Sequence, residues 1–456
     1  MKKFLILIIS FILIFVDFSF VYSEENIATP SNTVILVNGE EIKFDAYLIN
    51  DNNYFKLRDF AMAINKTKQQ FNIDWNGETK VINLTLNESY IPVGGELEKS
   101  NQLSNIPLLS EYIIYCNNLK YNILGYMING NNFFKLRDIA FALDIIVDWN
   151  DEAKTVIIDS EIMGHLEEIE VTNTEEFINA VGSNRILRVK EGTYDLTDEI
   201  LRNIENKNVE WDYSGLNIIN TENLCIAGEI NRQSKFIINA KLFNILSFVD
   251  CNNIKIENLN IVNGAQSEKT YQVTSLSFER TNNVKVNNCF LGNDISKGVV
   301  FQNGNYLAIN NTVITDCDYC AIHLYKSSGI AVNNTEITKN RGYSSLIIAF
   351  DAKVEFNNCE ISENKALRNE IIQAVCSSNI RFNNCTINDN EGPDCLVSNL
   401  EMLDGWASTL TFKECKFINN IYGELDAYDE SEYINCIFED NIIKMDRYAN
   451  LNSEEG

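Results

Sequence analysis

The sequence is poor in histidine and in basic residues. Its 456 residues include two histidines, His165 and His323, and 37 lysines and arginines against 64 aspartates and glutamates, for a formal net charge of −27. Two histidines cannot give a copper ion three imidazole ligands within one chain, so a centre of that kind is excluded in a monomer. An acidic surface repels phosphate backbones and anionic lipids. We therefore expect no nucleic-acid partner.

Long apolar runs are almost absent as well. The one long run covers residues 4–16, with Lys2 and Lys3 before it and small residues of a cleavage site before Glu24. A basic start, an apolar stretch and such a site are typical of a secretory signal peptide. The run is short for a membrane span, although an N-terminal anchor is the alternative. We predict a signal peptide at 1–23, no membrane span after its removal, and a secreted or cell-surface location.

Proline occurs four times, and no linker rich in serine, glycine or proline divides the chain. The chain does contain a duplication. The stretch NNYFKLRDFA at 52–61 returns as NNFFKLRDIA at 131–140. An alternating strand pair precedes each decamer and a tryptophan-containing hairpin follows it. The apolar residues at helical spacing in the first copy are Leu57, Phe60, Ala61 and Ile64. The pattern predicts a small α+β module, repeated at about 33–90 and 119–160.

The duplicated region, 33–160, resembles the copper amine oxidase N-terminal-like module, or stalk domain, of exported bacterial proteins. Asn-Gly, Leu-Arg-Asp and Asp-Trp-Asn elements carry the resemblance, and Lys56 and Lys135 stand where the family usually has proline. It implies an architectural module and not an amine oxidase, because that chemistry needs three histidine ligands. Arg58 and Arg137 are either ligand-binding cations or partners in Arg–Asp bridges from helix to hairpin, and we favour the bridges.

The remainder of the chain has a different rhythm. From residue 254 a strand–turn–strand phrase recurs at steps of 21 to 30 residues, in forms such as IKIENLNI, VKVNNCFL and VEFNNCEI. A period of this size is typical of a solenoid. Because asparagine tolerates a left-handed backbone, we predict two ladders of buried, hydrogen-bonded corner residues. The first is Asn258, Asn288, Asn311, Asn334, Asn358 and Asn384; the second is Asp294, Cys317, Asn340, Asn364, Asn390, Asn420 and Asn441.

Two asparagine ladders resemble those of the right-handed parallel β-helix of the pectate lyase superfamily, over residues 168–446. A helix at 174–181, capped by Asn173, is expected to cover the open end of the solenoid. The predicted fold is therefore mainly β: a right-handed parallel β-helix preceded by a small duplicated α+β module. This fold carries lyases, hydrolases, isomerases and binding proteins, so it does not decide the function.

Twelve cysteines in an exported chain would ordinarily suggest disulfides. Their position argues otherwise, because the slot after the Asn-Asn pair holds cysteine in most phrases and Thr312 or Thr335 in two of them. A slot that accepts either residue requires a small interior side chain. We predict stacked, free and buried thiols at Cys289, Cys359, Cys385, Cys415 and Cys436.

The superfamily resemblance implies lyase chemistry as one possible use of the solenoid. Such an enzyme holds calcium with several carboxylates and uses a lysine or arginine as the base. The candidate calcium ligands are Asp294, Asp316 and Asp318, and the candidate base is Lys339 or Arg341. Aspartate is also common at solenoid corners, so solvated turn residues are the alternative interpretation.

Binding without chemistry is the leading hypothesis. Tyr319, Tyr325 and Tyr343 follow coil corners and could stack on sugar rings, or they could fill the interior instead. We expect a monomeric protein, without a cofactor, that binds extracellular or cell-envelope polysaccharide. The alternative is a calcium-dependent polysaccharide lyase of pectate lyase type, and a third hypothesis is a purely structural solenoid. A compact carboxylate cluster beside a cation would favour the lyase.

Overall fold

In the computed structural model two packed parts follow one another, a duplicated module and a solenoid. The described residues are 27–50, 52–79, 81–98, 106–110, 113–117, 119–121, 123, 125–150, 155–160, 166–197, 199–212, 215–229, 234–238, 244–264, 273–293, 295–368, 370–392, 395–400, 407–426 and 431–443. The predicted signal peptide at 1–23 and the candidate ligand Asp294 lie outside them.

The described residues contain short helices and many short strands. The helices are α1 (Leu57–Ala63), α2 (Leu136–Leu143) and α3 (Thr174–Ala180), with a 3₁₀ turn at Glu199–Asn203. None of the helices in these ranges is long and apolar enough to cross a membrane. The module strands are β1 (Thr29–Pro30), β2 (Val34–Val37), β3 (Glu40–Glu41), β4 (Ala46–Ile49), β5 (Asn52–Lys56), β6 (Phe71–Asn76), β7 (Val81–Leu86), β8 (Leu108–Ser110), β9 (Ile113–Cys116), β10 (Leu119–Tyr121), β11 (Gly125–Ile128), β12 (Asn131–Lys135), β13 (Ile146–Asn150) and β14 (Thr155–Asp159).

The solenoid strands follow in chain order. They are β15 (Glu167–Val171), β16 (Arg185–Val189), β17 (Gly192–Asp195), β18 (Val209–Asp212), β19 (Gly215–Ile219), β20 (Glu222–Gly228), β21 (Ser234–Ile238), β22 (Asn244–Val249), β23 (Asn252–Glu257), β24 (Asn260–Asn263), β25 (Thr274–Glu279), β26 (Asn282–Asn287), β27 (Phe290–Gly292), β28 (Ile295–Gln302), β29 (Asn305–Asn310), β30 (Val313–Thr315), β31 (Cys317–Asn333), β32 (Glu336–Thr338), β33 (Ile347–Asn357), β34 (Glu360–Ser362), β35 (Ile372–Val375), β36 (Asn379–Asn383), β37 (Thr386–Asn388), β38 (Cys395–Leu400), β39 (Thr409–Lys413), β40 (Lys416–Ile418), β41 (Ile421–Tyr422), β42 (Glu424–Asp426), β43 (Glu432–Ile434), β44 (Ile437–Glu439) and β45 (Ile442–Ile443).

The two copies of the module pair through the repeated decamer. β5 and β12 are antiparallel neighbours at the centre of a six-stranded sheet with the order β1-β4-β5-β12-β11-β8. Phe134 lies opposite Phe55. Lys135 lies opposite Tyr54, and Phe133 lies opposite Lys56. Positions 79 apart correspond in the two copies, so this register places a pseudo-two-fold axis between Phe55 and Phe134.

Each copy also completes the sheet of the other. β2 of the first copy runs parallel to β14 at the end of the second, and β9 of the second runs parallel to β7 at the end of the first. Ile35, Phe60, Ile139 and Ile158 belong to one buried cluster that both copies share. Because the exchange is reciprocal, neither copy can complete its sheets alone.

The solenoid has three lateral faces, and its coils pair in parallel and in register. Face A contains β22, β25, β28, β35 and β38 with the first parts of β31 and β33, and face B contains β20, β23, β26, β29, β36 and β39 with their second parts. Face C contains β21, β24, β27, β30, β32, β34, β37 and β40. Alternate side chains point inward and form one apolar core. α3 adds Phe177 to the first end of that core, and the side chain of Asn173 accepts a hydrogen bond from the backbone of Glu176 at 2.9 Å.

The corner ladders predicted from the sequence are confirmed where the structure describes them. In the second ladder, the side-chain amide of Asn340 donates to Asn364 at 2.9 Å and that of Asn364 donates to Asn390 at 3.0 Å. The first ladder has the expected left-handed backbone, with a φ of 51° at Asn358. Its predicted burial was wrong, because a left-handed corner directs Asn358 outward into solvent. The preceding residue, Asn357, is buried instead and forms a ladder of its own.

All twelve cysteines are free, and all but one are buried. The thiol of Cys359 donates to the carbonyl of Val332 at 3.3 Å, and the hydroxyl of Thr335 donates to the carbonyl of Asn333 at 2.9 Å. A thiol and a hydroxyl can both serve a backbone carbonyl there, which explains why the slot accepts either residue. The predicted burial was wrong for Cys436, which is half-buried because it lies in the last described coil.

The module docks on face B of the solenoid. Lys255 and Lys285 occupy one outward slot on adjacent coils of that face, and both reach the carboxylate of Asp144 just after α2. Farther along the slot, Lys120 of β10 lies 3.5 Å from the carboxylate of Glu355. Ala308, which lies between these contacts in the same slot, is fully buried although it lies outside the solenoid core.

Aromatic contacts extend the docking surface. The hydroxyl of Tyr306 donates to the carboxylate of Asp138 at 2.6 Å, and its ring lies 5.8 Å from that of Phe141, centroid to centroid. The ammonium of Lys285 lies 4.9 Å from the centroid of the Phe141 ring. Burial alone would raise the pKa of Asp144, but Lys285 and Lys255 hold it below its usual value. Face B is therefore covered along the coils that contact the module.

Candidate functional site

The corner between face C and face A carries the residues predicted as calcium ligands and base. Asp316 and Lys339 occupy equivalent left-handed positions on successive coils, with φ of 53° and 58°. Both side chains are exposed, as is that of Arg341. Asp318 is half-buried, and its backbone carbonyl accepts a hydrogen bond from the N–H of Tyr343 at 2.8 Å.

These residues do not form a metal site within the described part of the chain. No group of three or more histidine, cysteine, aspartate or glutamate side chains in those ranges could hold a metal ion. Asp294 lies outside them, so the three-carboxylate set remains a prediction. The left-handed backbone at Asp316 and Lys339 matches the alternative interpretation, in which polar residues turn a corner.

Face A brings the three predicted tyrosines to one side of the solenoid. Tyr325 lies on β31 and is half-buried, and its ring stacks on Phe350 of the next coil with 5.1 Å between centroids. Tyr319 lies at the start of β31 and Tyr343 just before β33, with 36% and 44% of their surfaces exposed. The structure thus places two open rings at one margin of face A and a stacked pair on its strands.

A cation lies over each of the exposed rings. The ammonium of Lys297 lies 5.3 Å from the centroid of Tyr319, and the guanidinium of Arg368 lies 4.3 Å from that of Tyr343. Such a contact is favourable and limits the rotation of the ring. The margin of face A therefore offers aromatic surface and hydrogen-bond donors side by side.

A row of outward side chains crosses face A beyond the tyrosines. Val300, His323 and Ile348 are register partners on three successive coils, and both chain neighbours of His323 point into the core. The Nδ1 atom of His323 is buried and has no hydrogen-bond partner among the described residues. Burial, and then the charge of Lys297, lower the pKa of His323 to about 4. At neutral pH the imidazole of this row is therefore uncharged, and its Nδ1 atom is closed off from solvent.

The same row becomes polar on the next coil. Gln373 is the register partner of Ile348, and its amide donates to the carboxylate of Glu370 at 3.1 Å. The hydroxyl of Ser345 lies 3.3 Å from the same carboxylate. Face A thus combines apolar and aromatic surface with an imidazole and a carboxylate, groups that suit a ligand with both C–H faces and hydroxyls.

The sequence interpretation did not single out His323 as a site residue. A signal was available in the stretch CAIHLYK, because strict alternation there puts the histidine on the outside between two core residues. The burial of Nδ1 had no such signal, since it depends on neighbouring coils.

Comparison with known proteins supports the fold. A family model described as a right handed beta helix region matches residues 274–443. No curated protein matches the sequence. Among solved structures, the chain is similar to pectate lyase Pel9A, with 9% identity over 61% of this chain and 78% of that one and a TM-score of 0.37. It is also similar to PfbA, a surface adhesin of Streptococcus pneumoniae, with 10% identity over 60% of this chain and 71% of that one and a TM-score of 0.35. The catalytic domain of a GH87 alpha-1,3-glucanase is 10% identical, and the match covers 70% of this chain and 68% of that one, with a TM-score of 0.37. The fold is a right-handed β-helix, an architecture found in lyases, adhesins and glycoside hydrolases alike.

Proposed function

We propose that this is an exported protein, secreted or held at the cell surface, that binds an extracellular or cell-envelope polysaccharide on face A without cleaving it. One observation carries the proposal: the rings of Tyr319 and Tyr343 are open at one margin of face A, and Tyr325 stacks on Phe350 on the strands of the same face. Face B, by contrast, is occupied by the module.

The chemistry of face A suits a sugar polymer. Tyrosine rings provide broad apolar surface for the C–H side of a sugar, and their hydroxyls can bond its polar edge. Coils repeat every ~4.8 Å along the solenoid, so an extended chain lying along its axis meets the same kind of surface on successive coils.

The duplicated module has an architectural role in this proposal. Its sequence resembles the copper amine oxidase N-terminal-like, or stalk, module, and its docking fixes the solenoid by one side. The strand exchange between the copies makes it one rigid block. We propose that it holds the monomeric protein with face A directed toward the polysaccharide.

A glycan array probed with the chain from residue 24 onward, with and without calcium, tests the binding. We expect selective binding that does not need calcium. The double substitution Tyr319→Ala and Tyr343→Ala should weaken it about tenfold or more, because it removes both open rings. Trp75→Ala is the matched control, since this tryptophan of β6 is 38% exposed and lies in the module. Equal binding by the double variant and the wild type would overturn the assignment to face A.

The absence of cleavage needs its own assay. Polygalacturonate is incubated with the protein and calcium, and the unsaturated product of β-elimination is followed by its ultraviolet absorbance. We expect no product, because an acidic protein repels an anionic polymer. Steady production of it, lost in Asp316→Ala with the fold intact, would replace this proposal with the calcium-dependent lyase.

A further inference from the structure

A cleft opens between α2 of the module and the first corner row of face B. It encloses about 120 Å³, roughly eight to twelve times the space that one water molecule needs. Both parts of the protein line it. The module contributes Arg137, Ala140, Phe141, Asp144, Ile145 and Val147, and the solenoid contributes Asn223, Asn252, Asn253 and Asn283.

Arg137 is the unexplained charge of this cleft. The sequence favoured an Arg–Asp bridge, but Arg137 is exposed and forms no ion pair among the described residues. The neighbouring Asp138 binds the hydroxyl of Tyr306 instead. In the first copy of the module, Asp59 pairs with Lys56, at 3.6 Å, rather than with Arg58. The arginine of the second copy is thus left facing the cleft without a carboxylate partner.

The other charged residue among those that line the cleft is Asp144, and its carboxylate pairs with lysines that lie outside the lining. Asp144 accepts from Lys285 and lies 3.6 Å from Lys255, and Lys255 lies 3.1 Å from Glu257. Two lysines therefore meet two carboxylates. Arg137 remains as the excess positive charge, and its planar guanidinium can hold a carboxylate with two hydrogen bonds.

The solenoid wall of the cleft is a row of side-chain amides. Asn253 donates to Asn223 at 2.8 Å, and Asn283 donates to Asn252 at 2.8 Å. Each amide has a second N–H and a second lone pair beyond these bonds, so the row can bond several hydroxyls. The opposite wall, from the module, includes the ring of Phe141 and other apolar side chains beside Arg137 and Asp144.

We infer that this cleft binds one sugar unit that carries a carboxylate, a hexuronate, as a site separate from face A. Arg137 holds the carboxylate, the asparagine row bonds the hydroxyls, and Phe141 packs against the C–H side of the ring. The place is typical, because small-molecule sites often lie where two domains meet.

The probes are sodium D-galacturonate and sodium D-glucuronate, titrated into the chain from residue 24 onward and followed by calorimetry and ligand-observed NMR. We expect saturable binding of at least one of them, with a dissociation constant on the order of 1 mM for so small a ligand. Galactose, which lacks the carboxylate, should bind at least about tenfold more weakly. Equal binding of galactose would overturn the role of Arg137.

Two arginine variants provide the matched comparison. Arg137→Gln should weaken uronate binding about tenfold or more, whereas Arg58→Gln, 79 positions earlier and outside the cleft, should leave it unchanged. Thermal unfolding confirms that both variants are folded. The double substitution Tyr319→Ala and Tyr343→Ala should not alter uronate binding, which separates this site from face A. Absence of saturable binding by the wild type, or equal binding by Arg137→Gln, would overturn the inference.

Discussion

Faces A and B are built from the same coils, yet their outward residues differ in kind. On face B the slot shared by Lys285, Ala308 and Glu355 holds charges that pair with the module and a small residue that lies under it. On face A the outward row holds His323 and Ile348, and it forms no ion pair within the part of the chain that the structure describes. This difference shows that the types of outward side chain indicate what lies on a face. The inward side chains indicate only that a core is present.

A buried asparagine ladder should suffer most from a polar-to-apolar change. Asn357 of face B is 2% exposed, donates to Asn333 at 3.0 Å and accepts from Asn383 at 3.0 Å. Asn357→Leu leaves both partners unsatisfied, so we expect a loss of about 2–4 kcal/mol in the free energy of unfolding. Denaturant unfolding measures it.

Asn358→Leu is the matched control for that ladder. Asn358 is exposed, so its loss should be about 1–2 kcal/mol, mainly from leucine in a left-handed backbone. Equal losses at the two positions would contradict the division between a buried and an exposed ladder.

Because the Nδ1 atom of His323 is buried on face A, lowering the pH should decrease the free energy of unfolding. Its pKa is lowered from 6.5 to about 4, so between these values the unfolded chain binds a proton that the folded protein does not. Stability must then fall as the pH drops through this window, by about 3 kcal/mol at most for this residue. Unfolding of wild type and His323→Gln at pH 7 and pH 4 tests it, because the variant should lack this part of the loss. Identical pH dependence would show that the imidazole is solvated.

The contact that covers face B can be broken at one carboxylate. Asp144→Ala leaves Lys285, whose side chain is 7% exposed, without its partner. We expect a loss of about 2 kcal/mol, below the 3–5 typical of a fully buried pair, because Asp144 is 37% exposed. A double-mutant cycle with Lys285→Ala should show coupling between the two residues. Additive losses would mean that the pair does not hold the module to the solenoid.

The smallest expected change in stability is on face A. Tyr319→Ala with Tyr343→Ala should alter the free energy of unfolding by less than about 1 kcal/mol, because both rings are largely exposed. The affinity for the polysaccharide found on the array should nevertheless fall about tenfold or more. A large loss of stability without a loss of affinity would assign these rings to the fold and not to binding.

Much of the solenoid could be predicted from its sequence, because each coil repeats the same local requirements. The corner asparagines of the first ladder, such as Asn334 and Asn358, follow from the need for left-handed backbone at a fixed period. The three tyrosines also stand out, since they follow corners. Periodicity fixes these features without any knowledge of distant parts of the chain.

The covered face could not be predicted in this way. Lys255 and Lys285 share a slot in the repeat, but their partner Asp144 lies 141 positions before Lys285. Nothing in the local pattern of either segment indicates the pairing. The burial of His323 Nδ1 is similar, because alternation along β31 predicts only that the side chain points outward. Sequence periodicity therefore predicts faces, and only the packed structure shows which of them is open.

Hydrogen–deuterium exchange with and without the bound polysaccharide tests the central claim most directly, because it compares both faces in one protein. We expect added protection in the segments of face A at 317–325 and 343–350, and no change in β29 of face B. Protection in β29 with no change in the two face A segments would contradict the account.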